Sequence, residues 1–150
     1  MDNPVALESY VASGQDVDAF FNGDSLLRYI AGSGNDRGVE LLLAAGAHPN
    51  QVNRLNSTAL HAAVYSGSLS VVRSLIEHGA DISIQNKDGE TPYQCLLKRM
   101  SIHKNHPIQG PRLQAMKDYF DAFDLPVAQA SIARVPVVDV AISTENNQNA

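Results

Sequence analysis

Apolar residues along this chain fall in short stripes with helical spacing. Val39, Leu42 and Leu43 form one, and Val71, Val72, Leu75 and Ile76 form another. Recurrence three and four positions apart places such residues on one face of a helix. The stripes are closed by glycine, at Gly34 and Gly67 and again at Gly46 and Gly79. Short helices in pairs are the unit this pattern predicts. A single pair is too thin to enclose a core, so neighbouring pairs must stack.

The pattern then repeats. SLLRYIAGSGNDRGVELLLAAGAHPN (25–50) aligns without a gap on TALHAAVYSGSLSVVRSLIEHGADIS (58–83), at a spacing of 33 residues. Ser25 pairs with Thr58, Leu27 with Leu60, Gly34 with Gly67, Val39 with Val72, Leu42 with Leu75, and Gly46-Ala47 with Gly79-Ala80. The same step leads on to TPYQCLL at 91–97, and it also relates Gly23, Asn56 and Gly89. Glycine and asparagine tolerate the left-handed backbone of a tight turn. The Ser or Thr ahead of each first helix offers an oxygen to cap it. Gly46 and Gly79 stand where a helix must stop and the chain reverse.

These motifs resemble the ankyrin repeat: a turn, T-P-L-H-x-A-A opening a first helix, a glycine, an amphipathic second helix, then G-A-D. The best match is Thr58, Leu60, His61, Ala62, Ala63, Gly67, Val72, Leu75, Ile76, Gly79, Ala80 and Asp81, and the third repeat opens on Asp88, Gly89, Thr91 and Pro92. Ala59 replaces the usual Pro, Tyr93 the usual Leu, and Met100 the inter-helix Gly, so the last repeat should leave its first helix differently. The resemblance covers about residues 5–123. It implies an all-α solenoid of stacked helix-turn-helix units joined by β-turn loops.

The repeat domain is expected to span 4–124. In VALESYVASG (5–14) we read a first helix and in DVDAFF (16–21) a shortened second one, making 4–21 an N-terminal capping repeat. Full repeats occupy 22–54 and 55–87. The C-terminal repeat, 88–124, carries SIHKNHPIQG as an inserted polar loop, then a capping helix opened by Pro111 and striped by Leu113, Met116, Tyr119, Phe120 and Phe123. Pro126, Pro136 and the polar STENNQNA predict a disordered tail over 125–150, with VPVVDVAI (135–142) as an alternative extended docking segment.

Charge narrows the partner class. At −5 the chain lacks the basic face that phosphate-backbone binding needs, so nucleic acid is not expected. The lone Cys95 permits no intrachain disulfide, MDNPVALESY does not read as a signal peptide, and no apolar run approaches a membrane span. A soluble, cytoplasmic protein, monomeric when free, is the expectation. Asn56-Ser57-Thr58 fits a glycosylation acceptor, which has no use without secretion.

Catalytic chemistry is not expected either. Gly32, Gly34 and Gly38 suggest a phosphate loop, but a capped helix precedes them and no Lys-Ser or Lys-Thr follows. Gly34 is the inter-helix glycine, while Gly32 and Gly38 fall outside the repeat and are expected only to loosen the turn. The resemblance implies a structural role for His61, hydrogen bonding between neighbouring loops, with Arg28 and Gln94 as its counterparts. Cys95 should be a buried, inert thiol. His48 and His78 should face solvent, and His103 and His106 are too few to hold zinc. No catalytic residue, cofactor or metal is assigned.

Members of the family generally bind proteins on a concave surface made of turn tips and the exposed ends of the first helices. Carried onto this chain, those positions are Asn22 and Asp24; Arg54, Leu55 and Ser57; Tyr65 and Ser66; Lys87, Asp88 and Glu90; and Lys98 and Arg99. The surface would run from acidic at Asp24 to basic at Lys87, Lys98 and Arg99. The expected activity is binding of another protein, in a specific version as an inhibitor or immunity protein of a bacterial toxin or enzyme. An adaptor holding a second partner on its tail is the alternative, and a metal-dependent enzyme using His103 and His106 the third reading.

Overall fold

The computed structural model describes residues 4–124, so the tail at 125–150, with VPVVDVAI, lies outside the described residues. Among those described, seven helices follow one another: α1 Pro4–Ala12, α2 Leu26–Gly32, α3 Asp36–Ala44, α4 Ala59–Ser66, α5 Leu69–Glu77, α6 Pro92–His103 and α7 Gln109–Asp124. A small hairpin, β1 Phe20–Phe21 and β2 Asp24–Ser25, separates α1 from α2. None of these helices is long and apolar enough to cross a membrane. The chain divides into two units at Met116, within α7.

Within the first unit the helices form two layers. The first helices α2, α4 and α6 lie side by side, and α1, α3 and α5 form the second layer against them. Between the layers Leu27, Ile30, Ala31, Leu60, Ala63 and Val64 meet Val39, Leu42, Val72 and Leu75, all sealed from solvent. The expected caps form: Ser25, Thr58 and Thr91 accept from the amides of Arg28, His61 and Gln94, and Asn35 and Ser68 do the same for α3 and α5. Each such cap is worth about 1 kcal/mol.

The N-terminal segment departs from the expectation. α1 packs on α3, so it belongs to the second layer and is not a first helix. It stops at Ala12, and Gly14 just beyond, with φ +76°, matches the role of Gly46 (+96°) and Gly79 (+93°). Leu7 is its sealed core residue, as Val39 and Val72 are for α3 and α5.

Nor do residues 16–21 make a helix. The Asp16 carboxylate accepts from the amide of Asp18 at 2.9 Å, and the Asp16 carbonyl accepts from Ala19 N and from the Tyr10 hydroxyl. A side chain that bonds its own neighbouring backbone diverts the chain from helix into turn. Phe20 and Phe21 then pair with Ser25 and Asp24 across Asn22 (φ 56°) and Gly23 (φ +87°). Two left-handed residues in succession suit a two-residue hairpin turn.

The C-terminal repeat leaves its first helix differently, as Met100 predicts. α6 runs to His103, past the position where Gly34 and Gly67 follow α2 and α4. The inserted loop, read as 101–110, is therefore shorter, because its first three residues are helical and α7 opens at Gln109. His106 Nδ1 accepts from the amides of Ile108 (3.3 Å) and Gln109 (3.1 Å), capping α7. Pro111 lies in the first turn of that helix, and Leu113 and Met116 are buried. Farther along α7, Tyr119 meets Phe123 edge to face at 5.1 Å.

Gly38 does not loosen a turn. It is buried inside α3, where an added Cβ would sit 2.7 Å from Ile30 Cγ2 and 3.0 Å from Leu7 Cδ2. Its missing side chain lets α1 and α2 approach α3.

Candidate functional site

The loops that precede α4 and α6 are built alike, around asparagines one repeat apart. Asn53 Oδ1 accepts from the amides of Leu55 (2.9 Å) and Ser57 (3.0 Å). Asn86 Oδ1 accepts from Asp88 (2.9 Å) and Glu90 (3.0 Å). The first loop has Phe20 at that place and uses the hairpin instead.

Each tip is tied to the next. Asn53 Nδ2 donates to Asp24 Oδ1 at 2.8 Å, and Arg54 Nη2 to the Asn22 carbonyl at 3.3 Å. One repeat on, Lys87 N donates to the Leu55 carbonyl at 2.8 Å and Asn56 Nδ2 to the Gln85 carbonyl at 2.7 Å. Polar groups that hold one another in this way fix the tips before any partner arrives.

A second set of ties runs underneath. His61 Nε2 donates to the Glu90 carbonyl at 2.9 Å, while its Nδ1 accepts from Thr58 N at 3.1 Å. Those bonds select the neutral Nε2–H tautomer. The ring is fully enclosed, and burial pushes the imidazole below the ordinary histidine range. Arg28 makes the same reach one repeat earlier: Nε and Nη2 donate to Ser57 Oγ at 3.4 and 3.3 Å, and Nη1 pairs with Asp24 at 2.9 Å. The expected structural role of His61, with a polar counterpart at Arg28, is what the geometry contains. Gln94 instead bonds within its own capping box with Thr91.

The structure separates the residues expected to bind. Asn22, Arg54, Leu55, Lys87 and Asp88 are exposed at the tips, and Asp24 and Glu90 are half-buried. Ser57 is turned inward, 7% exposed, with its hydroxyl accepting from Arg28, so it presents no side chain to a partner. Tyr65 is half-exposed on α4, and Ser66 spends its hydroxyl on the Ala63 carbonyl.

Lys98 and Arg99, expected as a basic end, are engaged within the chain. Lys98 Nζ pairs with Glu90 Oε2 at 2.7 Å, which raises the lysine and lowers the carboxylate. Arg99 Nη1 donates to the Tyr65 carbonyl at 2.7 Å, Nη2 to Gln109 at 3.2 Å, and the guanidinium lies 5.6 Å from the Tyr65 ring centroid. The Cys95 thiol beneath is buried and pushed up by that burial and by Glu90. A thiol so placed is a poor nucleophile.

His48 and His78 are exposed, His48 against Asp18 at 2.5 Å. His103 and His106 meet ring edge to ring face at 6.2 Å. No group of three His, Cys, Asp or Glu among the described residues is arranged to hold a metal.

Phe20, Phe21 and Tyr29, which neighbour Asp24, are exposed aromatics outside the expected binding positions, with Phe20 and Phe21 expected to be helical. Tyr29 is 53% exposed, against 5% and 0% for Ala62 and Cys95 at its register positions. No first-layer helix precedes α2 among the described residues to cover it. The Asn53–Asn86 pairing could have been found by carrying the 33-residue alignment into the turns.

A family model of ankyrin repeats, in three copies, matches residues 3–99. Known proteins similar to this chain include Rabankyrin-5 of Mus musculus, 32% identical over 109 residues, covering 63% of this chain and 9% of that protein. An ankyrin repeat protein of Rickettsia felis is 31% identical over 114 residues, 73% of this chain and 49% of its own. The B-cell lymphoma 3 protein homolog of Mus musculus is 35% identical over 91 residues, 59% of this chain and 20% of its own. The chain thus spans less than half the length of each of these three relatives.

Proposed function

The chain belongs to the ankyrin-repeat family of protein-interaction modules, and on that premise we propose that it binds its partner through the turn tips and the adjoining exposed positions of α2, α4 and α6. The observation that carries this reading is Leu55, a leucine 55% exposed at a turn tip whose backbone is tied on both sides. Nothing local needs an apolar group there. Tyr65, 50% exposed and held by Arg99, supports the same face with an aromatic of the kind that anchors interfaces. A purified partner titrated against Leu55→Ala and Tyr65→Ala tests it, with Ser70→Ala on the second layer as control. Unchanged affinity in both variants of this inner face, formed by the tips and the exposed positions of α2, α4 and α6, with loss in the control, would send the site to the second layer.

Blocking a toxin or enzyme, as an inhibitor or immunity protein, is the specific role proposed within that reading. Co-expression with the captured partner tests it, since a blocker abolishes the partner's activity and an adaptor leaves it intact. A cytoplasmic setting belongs to the same proposal and suits a chain with one cysteine.

A further inference from the structure

Gly32 is the glycine that neither the repeat nor the core explains. Its register positions are Tyr65 on α4 and Lys98 on α6, so each neighbouring repeat carries a large side chain where α2 carries none. The result is a hollow of about 340 Å³ lined by Asp24, Arg28, Tyr29, Gly32 and Ser33. That is at the lower end for a ligand pocket, of a size to take one side chain.

The groups around the hollow differ in what they still offer. Arg28 directs its donors to Ser57 and Asp24, and Ser33 Oγ donates to the Ile30 carbonyl at 2.7 Å. Arg28 Nη1 at 2.9 Å and Asn53 Nδ2 at 2.8 Å both reach the Asp24 carboxylate at Oδ1, which leaves Oδ2 to face the hollow. Tyr29 adds an exposed ring. A carboxylate oxygen beside an aromatic face selects a cation with a planar or aliphatic body. Residues 4–40 carry six carboxylates (Glu8, Asp16, Asp18, Asp24, Asp36, Glu40) against Arg28 and Arg37, with Arg54 of the next tip beside the Asn22–Gly23 turn.

We propose that this hollow receives an arginine side chain from a basic segment of the partner protein, stacked on Tyr29 and hydrogen-bonded to Asp24 Oδ2. The inference rests on the inner face being the binding face. An aromatic intruder would satisfy Tyr29 but desolvate the carboxylate oxygen, and an acidic one would be repelled.

The test is a titration of the 15N-labelled full chain with acetylated, amidated Ala-Arg-Ala, Ala-Leu-Ala and Ala-Glu-Ala, read by amide shifts. The arginine peptide should move Tyr29, Gly32 and Ser33, bind about five-fold more tightly than the leucine peptide, and weaken with salt. Gly32→Gln should abolish that binding and Asp24→Asn should reduce it to the leucine level. A Cβ at Gly32 meets only Ala62 Cβ at 3.6 Å, so the filled variant should fold, and Gly32→Ala provides a milder second variant. Equal or tighter binding of the leucine or glutamate peptide, no shifts at all, or insensitivity to both Gly32 variants overturns the proposal. Shifts confined to Leu55 and Tyr65 overturn the hollow and leave the inner face standing; shifts on α3 and α5 overturn both.

Discussion

His61 Nε2 bonds the carbonyl oxygen of Glu90 at 2.9 Å, joining the first turn of one repeat to the turn of the next. It is a fully enclosed neutral imidazole whose other nitrogen accepts from Thr58 N. Removing it strands the buried Thr58 amide and leaves the Glu90 carbonyl with the Asn86 amide as its remaining donor. His61→Ala should therefore cost about 2–3 kcal/mol in urea unfolding.

The same residue sets a pH response. Burial lowers the His61 pKa in the folded chain, so below the unfolded value of about 6.5 the unfolded chain binds the proton first. Its stabilising contribution is complete above that value and is lost as pH falls through the folded pKa. Unfolding midpoints measured from pH 7.5 down to about 5 should decline in the wild type. His61→Ala should flatten that slope, and an unchanged slope would assign the response to another group.

Two glycines, Gly32 at the end of α2 and Gly38 inside α3, should respond in opposite senses to alanine. At Gly38 a Cβ meets Ile30 at 2.7 Å and Leu7 at 3.0 Å, so overpacking outweighs the gain in helix propensity. Gly38→Ala should destabilise by about 1–3 kcal/mol. At Gly32 the nearest atom is 3.6 Å away, and alanine should stabilise by up to about 1 kcal/mol. Thermal melts of both variants decide it.

On the binding face, the proposed anchors and the inward-turned serine should separate by assay. Leu55→Ala and Tyr65→Ala should each weaken partner binding by about 1–2 kcal/mol with little effect on unfolding. Ser57→Ala removes the acceptor of the Arg28 donors and should appear first in stability, by about 1 kcal/mol.

Cys95 reports on the cluster beneath Tyr65. The thiol is buried and its pKa raised, so reaction with a thiol reagent at neutral pH should be slow in the folded chain and complete on unfolding. Rapid native labelling would mean that α4 and α6 open at that edge.

Local chemistry was legible in advance wherever a residue's role depends on close neighbours in the chain. Ser25, Thr58 and Thr91 cap the helices they precede, and Gly46 and Gly79 end the ones they follow. Met100 announced a different exit from α6 but not its length: residues 101–103 read as loop and are helical, because a helix without its stop signal continues. The binding candidates were legible as positions and not as orientations: Leu55 points out and Ser57 points in, though two residues apart on one turn.

Through its resemblance the sequence implied the structural place of His61; by itself it determined the repeat step, the helix pairs and their caps. Those follow from side chains that satisfy backbone groups within three or four residues, and from a periodicity that stacking must obey. The tertiary structure alone decided that α1 joins the second layer, that Phe20 and Phe21 form a hairpin arm, that Gly38 is a contact, and that Lys98 and Arg99 are engaged. An amphipathic stripe states that a helix has a face to bury and leaves open which helix will bury it. Gly14 closes a helix of either layer equally well, and only the meeting of Leu7 with Gly38 across α3 places α1 in the second.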